Sequence, residues 1–261
     1  MRSLSIAGTG MLAQQTNVDV ISNNIANMNT TAFKRQRAEF QDLLYQQVER
    51  PGASAGGGDS RSPSGIQIGA GVRAAGVYRI AEQGALTTTD NRYDLAIEGT
   101  GYFQVTLPSG ETAYTRAGSF QVSDQGELVT ADGFPVQPGI TIPAEAVDVS
   151  IGRTGVVQVK LDGQAEMQDV GQLQLATFVN EAGLEARGGN LFIATGASGE
   201  PNVASPGDPG LGQLRQGFLE ASNVNAVAEI TALITAQRAY EMNSRVVKTV
   251  DEMLATSSQL R

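Results

Sequence analysis

The sequence predicts an α+β protein in which long N- and C-terminal helices pair, as in a coiled coil, beside a central antiparallel all-β domain. Apolar residues recur every seven positions at both ends of the chain, which is the spacing of a helix with one apolar stripe. In the middle, short alternating runs are separated by glycine-containing turns, which is typical of antiparallel strands. Hydrophobic residues make up 41% of the 261 residues, enough to build a buried core.

The N-terminal apolar stripe extends over more than three heptads. It is formed by Leu4, Met11, Val18 and Ile25, with Ile21 on the adjoining row. Ordering the backbone costs about 1–2 kcal/mol per residue, and burial of a large apolar side chain contributes about 1.5–3 kcal/mol. Because most residues of this segment are small or polar, burial of the stripe does not offset the ordering. We expect the helix to form only when neighbours cover it.

The C-terminal helix is predicted to start near Ser222 and to reach Leu260, a length of roughly 55–60 Å. Its stripe consists of Leu233, Tyr240, Val247 and Leu254. No compact domain of this size buries so long a stripe, so we expect both helices to protrude and to pack together and against other subunits. A two-helix hairpin on a single domain is the alternative.

Composition divides the chain into four predicted regions. Residues 1–45 form an N-terminal helical assembly segment, and 46–70 form an extended Gly/Ser-rich insert. Residues 71–215 form the β-domain with a trailing loop over 195–213, and 216–261 form the C-terminal assembly helix. Within the insert, the alternation at 66–68 allows an edge strand in an assembly.

Charge and residue usage exclude several classes of function. The net charge is −9, and the densest basic cluster, Lys34, Arg35 and Arg37, is too small for a nucleic-acid site. The chain has no cysteine and no histidine, so we predict no disulfide, metal site, cofactor or catalytic residue. No apolar run has the length of a transmembrane span or of a signal-peptide core. If the chain leaves the cytoplasm, we expect it to be exported without a cleaved signal peptide.

Two patterns that suggest an enzyme have simpler explanations. Residues 52–56 match G-x-S-x-G, but they lie in low-complexity sequence and no histidine base exists. Acidic pairs such as Asp94 with Glu98, or Asp124 with Glu127, suit a glycosidase, yet acids beside glycine usually stabilise turns. We therefore predict that the chain is not an enzyme. A cell-wall-acting carbohydrate enzyme or binding module, and a secreted adhesin, are the alternatives from other classes.

The polar run at 22–27 is more informative. Asn23, Asn24 and Asn27 are poor residues for the interior of a solvated helix, because their amides compete for backbone groups. Buried at a helix–helix contact, these amides bond across the interface and set its register. The alternative is a helix end that dissolves into a turn.

Several motifs, in order along the chain, resemble those of the flagellar rod and hook proteins. They are the run at 22–27 followed by 30–34, the segments 97–99 with 101–103 and 114–118, and the C-terminal stretches 222–225, 229–231 and 234–241. The usual glycine before the Phe33-Lys34 pair is Ala32 here, which argues against a left-handed backbone at that position. The length favours a rod subunit over the hook protein, and the insert at 46–70 resembles that of the distal rod members, where it stiffens the rod.

The resemblance implies a structural subunit that polymerises into the rigid hollow distal rod and transmits torque to the hook, with a proximal rod subunit as the alternative. The implied partners are further copies in a helical homopolymer, proximal rod subunits, hook or hook-base subunits, and the surrounding basal-body ring proteins. The implied location is the rod of the flagellum basal body, from the periplasm to the outer membrane. The predicted assembly interface comprises Leu4, Met11, Val18, Ile21, Asn23, Asn24, Ile25, Asn27, Phe33, Leu233, Tyr240, Val247 and Leu254.

Overall fold

The computed structural model describes residues 2–49, 65–164 and 166–259. Two α-helices lie near the ends of the chain, α1 (Arg2–Ala26) and α2 (Ala226–Gln259). The described segments between them are strands, turns and a short 3-10 helix (Glu181–Gly183), which confirms the α+β class. The strands are β1 (Gln36–Asp42), β2 (Tyr45–Glu49), β3 (Ile66–Gly69), β4 (Val72–Arg79), β5 (Leu86–Thr88), β6 (Leu95–Glu98), β7 (Tyr102–Thr106), β8 (Thr112–Thr115), β9 (Gln121–Val122), β10 (Leu128–Val129), β11 (Ala146–Ile151), β12 (Val156–Leu161), β13 (Gln168–Gln172), β14 (Leu175–Thr177), β15 (Glu185–Gly188), β16 (Leu191–Ile193), β17 (Asn202–Ala204), β18 (Gln213–Gln216) and β19 (Phe218–Glu220).

The chain forms two compact units, each assembled from separate segments. The helical unit comprises Met1–Ala26, Gln36–Tyr78 and Asn225–Arg261, and the β-domain comprises Asn27–Arg35 and Arg79–Val224. These limits differ from the predicted boundaries, which followed composition along the chain. Contacts group the segment 27–35 with strands far away in sequence, and composition does not record such contacts.

In the helical unit, α1 and α2 pack against each other and run antiparallel. Gly10 lies against Asn243, and Asn24 bonds to Glu229, so that 14 residues separate the two contacts on both helices. The same offset places Arg2 level with Asp251, and the last residues of α2, 252–259, extend beyond the start of α1.

The C-terminal helix begins four residues later than the prediction, at Ala226. Asn225 caps it, because the Asn225 Oδ1 accepts a hydrogen bond from the Ala228 N–H at 3.1 Å. The residues 221–224 before Asn225 are neither helix nor strand and belong to the β-domain.

Two short antiparallel ribbons complete the helical unit. Strand β1 pairs with β4, and β2 pairs with β3 in the same chain. The predicted edge strand at 66–68 therefore exists as β3, but its partner is β2. The residues 50–64 between them, which include the G-x-S-x-G match, lie outside the described residues.

The β-domain is built around an antiparallel six-stranded sheet in the order β15-β16-β8-β7-β14-β17. A three-stranded sheet, β11-β12-β13, and the pairs β6–β18, β5–β19 and β9–β10 surround the core. Tight glycine-containing turns join neighbouring strands, as predicted, and Gly110 and Gly126 adopt positive φ there. The stretch 195–213, predicted to be loop throughout, contains β17 and ends at the start of β18. The core is largely aliphatic and includes Leu95, Ile97, Phe103, Val105, Val157, Val159, Leu173, Leu175 and Leu214.

Candidate assembly surface and buried clasp

The predicted interface residues do not share one environment. Ile21 and Asn24 are buried inside the helical unit, whereas Tyr240 and Leu254 expose 45% and 46% of their surface. Asn23 is exposed as well. Asn27 and Phe33 belong to the β-domain rather than to the helical unit. The remaining residues of the predicted interface are half-buried: Leu4, Met11, Val18, Ile25, Asn27, Phe33, Leu233 and Val247.

Asn24 is fully used within its own chain. Its Oδ1 accepts the Gln36 N–H at 2.8 Å, and its Nδ2 donates to the Gln36 carbonyl at 2.9 Å. The same Nδ2 donates to the Glu229 carboxylate of α2 at 3.2 Å. One amide therefore holds the end of α1, the start of β1 and the first turn of α2 together, which is a register-setting role inside the unit.

We expect Asn24→Ala to loosen the pairing of α1 with α2, because it leaves the half-buried Gln36 backbone groups and the buried Glu229 carboxylate without this partner. The cost of such unpaired groups is about 1–3 kcal/mol. Amide exchange of 2–26 and 226–250 in the purified chain should accelerate. Gln15→Ala, at an exposed position of the same helix, should leave exchange unchanged. Equal exchange in both variants would contradict the role of Asn24.

A second apolar surface on α2 was not predicted. Val227 is 76% exposed, and Ile230, Ile234, Met242 and Met253 are also exposed. Beside them runs an open groove of about 780 Å³, lined by Gln14 and Asn17 of α1 and by alanine and threonine side chains of α2. The predicted stripe at 233, 240, 247 and 254 does not contain these exposed apolar residues, although Val227 and Ile234 are themselves seven positions apart. The apolar residues that lie between the stripe positions in the sequence, such as Ile230 and Ile234, could have indicated this surface.

A buried cluster of three charges lies in the β-domain. The Glu220 side chain is fully buried, and its Oε1 accepts from the Lys34 Nζ at 2.5 Å and from the Gly84 N–H at 2.9 Å. Its Oε2 accepts from the Arg116 Nε at 2.9 Å. Lys34 also donates to the Glu82 carbonyl at 2.8 Å. The carboxylate is thus enclosed by donors from three distant segments of the chain.

These contacts and the burial of the cluster shift the pKa values of Glu220 and Lys34. Burial by itself raises the pKa of Glu220, but Arg116, Lys34 and the hydrogen bonds outweigh it and hold the pKa below its ordinary value of 4.5. Burial, followed by the like charge of Arg116, lowers the pKa of Lys34 against the opposing effect of Glu220. A carboxyl group whose pKa falls on folding stabilises the folded state above the pKa of the unfolded chain. That contribution is lost as the pH falls through the lowered pKa.

Backbone bonds extend the cluster into what we call the clasp, formed by residues 32–35, 80–84 and 220–223. The Asn223 side chain accepts from the Arg35 N–H at 2.7 Å and donates to the carbonyls of Ile80 and Glu82 at 3.0 and 2.9 Å. The backbone bonds between the three segments run from Ala32 N–H to Glu220 carbonyl, from Asn223 N–H to Phe33 carbonyl, and from Ile80 N–H to Arg35 carbonyl.

The expectation for Ala32 was wrong, because its φ is 57°, in the left-handed region. A left-handed alanine costs roughly 1–2 kcal/mol. Ala32 is buried and its N–H donates to the Glu220 carbonyl at 2.8 Å. The clasp therefore imposes the conformation that glycine would adopt without strain.

The net charge of the chain lies entirely in one unit. By sequence, the β-domain contains eighteen acidic and nine basic side chains, whereas the helical unit contains nine of each. The helical unit is therefore neutral overall, and the β-domain carries the whole net charge of −9.

The buried polar groups of the described residues are satisfied within the chain. Each buried side-chain polar atom among them has a hydrogen-bond partner within the chain. No group of three or more acidic side chains in the described ranges is placed to hold a metal ion. Within the same ranges, no helix combines the length and apolar character that a membrane crossing requires.

Comparison with known proteins identifies the class of protein to which the chain belongs. Three family models match: the flagella basal body rod protein over residues 4–34, the flagellar hook protein FlgE/F/G D1 domain over 96–159, and the flagellar basal body rod FlgEFG protein C-terminal over 215–260. The matched regions contain most of α1 and of the first clasp segment, much of the β-domain, and α2.

Relatives of the same length share much of the sequence. A flagellar basal-body rod protein FlgG of Caulobacter vibrioides is 63% identical over 100% of both chains. That of Agrobacterium fabrum is 52% identical over 99% of each chain, and that of Borreliella burgdorferi is 46% identical over 100% of this chain and 99% of its own. The chain belongs to the flagellar basal-body rod protein family. It is a structural subunit and not an enzyme, as predicted.

Proposed function

We propose that the chain polymerises through its terminal helices into the rigid, hollow distal rod and transmits torque to the hook. The observation that carries the proposal is the apolar surface of α2, which stays exposed although α1 already covers one side of this helix. Val227, Ile230 and Met253 each expose at least half of their surface. A stable monomer has no reason to keep apolar side chains on such an exposed face. Contacts that do not close on themselves generate a helical filament.

Three features of the helical unit support association between copies. The end of α2 extends past α1, and Met253 and Leu254 are exposed on it. The heptad spacing at 233, 240, 247 and 254 suits coiled-coil packing against a neighbour's helix. The unit is also neutral overall, so net charge does not oppose its association. The interface we propose includes Tyr240 and Leu254, with the half-buried residues of the predicted interface completing it.

The ribbon of β2 and β3 supports the stiffening role proposed for 46–70. A two-stranded ribbon is marginal in water unless something packs on it. Tyr45, Val48, Ile66 and Ile68 are exposed on this ribbon, and Leu44 beside it is 89% exposed. We propose that neighbouring subunits cover these side chains in the rod.

The remaining parts of the proposal follow from the family. We propose that the chain meets proximal rod subunits, hook or hook-base subunits and the surrounding ring proteins. We further propose that the rod extends from the periplasm to the outer membrane, and that the chain is exported without cleavage of a signal peptide.

We expect Leu254→Asp to prevent polymerisation, because it places a charge where a neighbour's apolar surface would cover it. Leu254 lies beyond the N-terminus of α1, so the variant leaves the packing of α1 against α2 intact. The amount of sedimentable polymer should fall below detection, while the thermal unfolding of the β-domain stays unchanged. Thr256→Asp puts the same charge two residues along the exposed end of α2 and should still polymerise. Normal polymer from the Leu254 variant would refute the proposed surface.

A further inference from the structure

The clasp lies where the chain leaves the β-domain. The chain passes between the two units at 26/27, 35/36, 78/79 and 224/225. Arg35 and Ile80 belong to the clasp and lie at or next to two of these crossings, and Asn223 lies one residue before the last β-domain residue. Three of the four positions at which the chain passes between the units therefore lie at or close to the clasp.

We propose that Lys34, Glu220 and Asn223 anchor both terminal segments of the chain mechanically to the β-domain. The inference rests on the proposed function, since it concerns force that reaches the β-domain from polymerised helices. Force transmitted along the chain enters the β-domain at the crossings. If the segments 32–35, 80–84 and 220–223 were independent, each would move separately under that force.

The chemistry of the clasp suits such a role. Glu220 is enclosed by Lys34 and Arg116, and the Arg116 guanidinium also donates to the carbonyls of Gly99 and Gly101 at 2.8 and 3.0 Å. Charge-assisted hydrogen bonds of this kind are stronger than neutral ones and fix direction as well as distance. Because the carboxylate is buried, opening one segment leaves a buried charge without its partner, so the segments separate together or not at all.

The test compares Glu220→Gln with Glu98→Gln in the full chain. Glu98 makes the same kind of bond, to the Arg215 Nε at 2.7 Å, but on the surface of the same domain. In the Glu220 variant, we expect the amides of Ala32, Ile80 and Asn223 to exchange about tenfold faster or more. The amides of Val157 and Val159, in the core, should keep their protection. The Glu98 variant should match the wild type throughout.

The mechanical readout is the persistence length of polymers imaged by electron microscopy. We expect polymers of the Glu220 variant to form but to bend more than those of the wild type or of the Glu98 variant. Should Glu220→Gln unfold the whole domain, Asn223→Ala takes its place, because it removes neutral hydrogen bonds and strands no buried charge. Clasp amides that stay protected in these variants, or polymers as stiff as the wild type's, would overturn the anchor while the proposed function stands. A wild-type chain that forms no polymer would overturn both.

Discussion

A chain carrying Gly118→Ala is expected to lose its folded β-domain. A Cβ on Gly118 would lie 1.6 Å from the carbonyl oxygen of Leu95. Leu95 is completely buried, and its N–H donates to the Gly118 carbonyl at 2.9 Å, so the two backbones are locked at this distance. Neither can withdraw without breaking the β6 contacts of the core. Overpacking against backbone in a core belongs with the severe substitutions, and we expect a loss of about 4 kcal/mol or more.

Urea denaturation followed by far-ultraviolet circular dichroism measures this loss. Gly196→Ala is the matched control, because a Cβ at Gly196 in the same domain has no atom within 4 Å. The control should unfold at the wild-type urea concentration, and the Gly118 variant should show no cooperative transition of the β-domain. A Gly118 variant with the stability of the Gly196 variant would mean that the two backbones do not approach as closely as described.

The second large effect is expected from deletions at the N-terminus of the chain. Deletion of 1–26 removes α1 and should leave the β-domain folded, since the domain begins at Asn27. Deletion of 1–35 also removes Lys34, which leaves Glu220 buried without its lysine partner. Breaking a buried pair from one side destabilises a protein by about 3–5 kcal/mol. We therefore expect the longer deletion to unfold the β-domain or to lower its midpoint sharply.

The two deletions form their own control, because both lose α1 and both leave α2 without its partner helix. The difference between their urea midpoints isolates the segment 27–35. Lys34→Met in the full chain should reproduce most of that difference. Equal midpoints for the two deletions would show that 27–35 does not belong to the β-domain.

The architecture could be predicted where the signal is local. Periodicity of seven at the ends, and glycine-containing turns in the middle, are features of neighbouring residues, and they indicated both helices and the antiparallel domain. The predicted start of α2 was early because the polar residues 222–225 suit a helix start. Only Asn225 caps the helix, while Asn223 bonds into the clasp.

The clasp could not be predicted, because its parts are distant in sequence. Lys34 and Glu220 are 186 residues apart, and Arg116 is 104 residues from Glu220. Taken alone, Lys34 looked like one member of a small basic cluster on the surface. Likewise, the heptads at the two ends indicate that helices pair but not which residues stay exposed. That depends on the antiparallel offset, which places Met253 and Leu254 beyond α1.

The separation of Lys34 from Glu220 also determines when the domain can close during synthesis. A ribosome makes residues 27–35 early, yet the carboxylate that neutralises Lys34 appears only when 220 residues have been made. Until then the lysine has no buried partner, and water solvates its ammonium better than the unfinished domain does. We therefore expect the nascent chain to stay open at this point, whatever sheets have formed in between, until the last sixth of the polypeptide has been made.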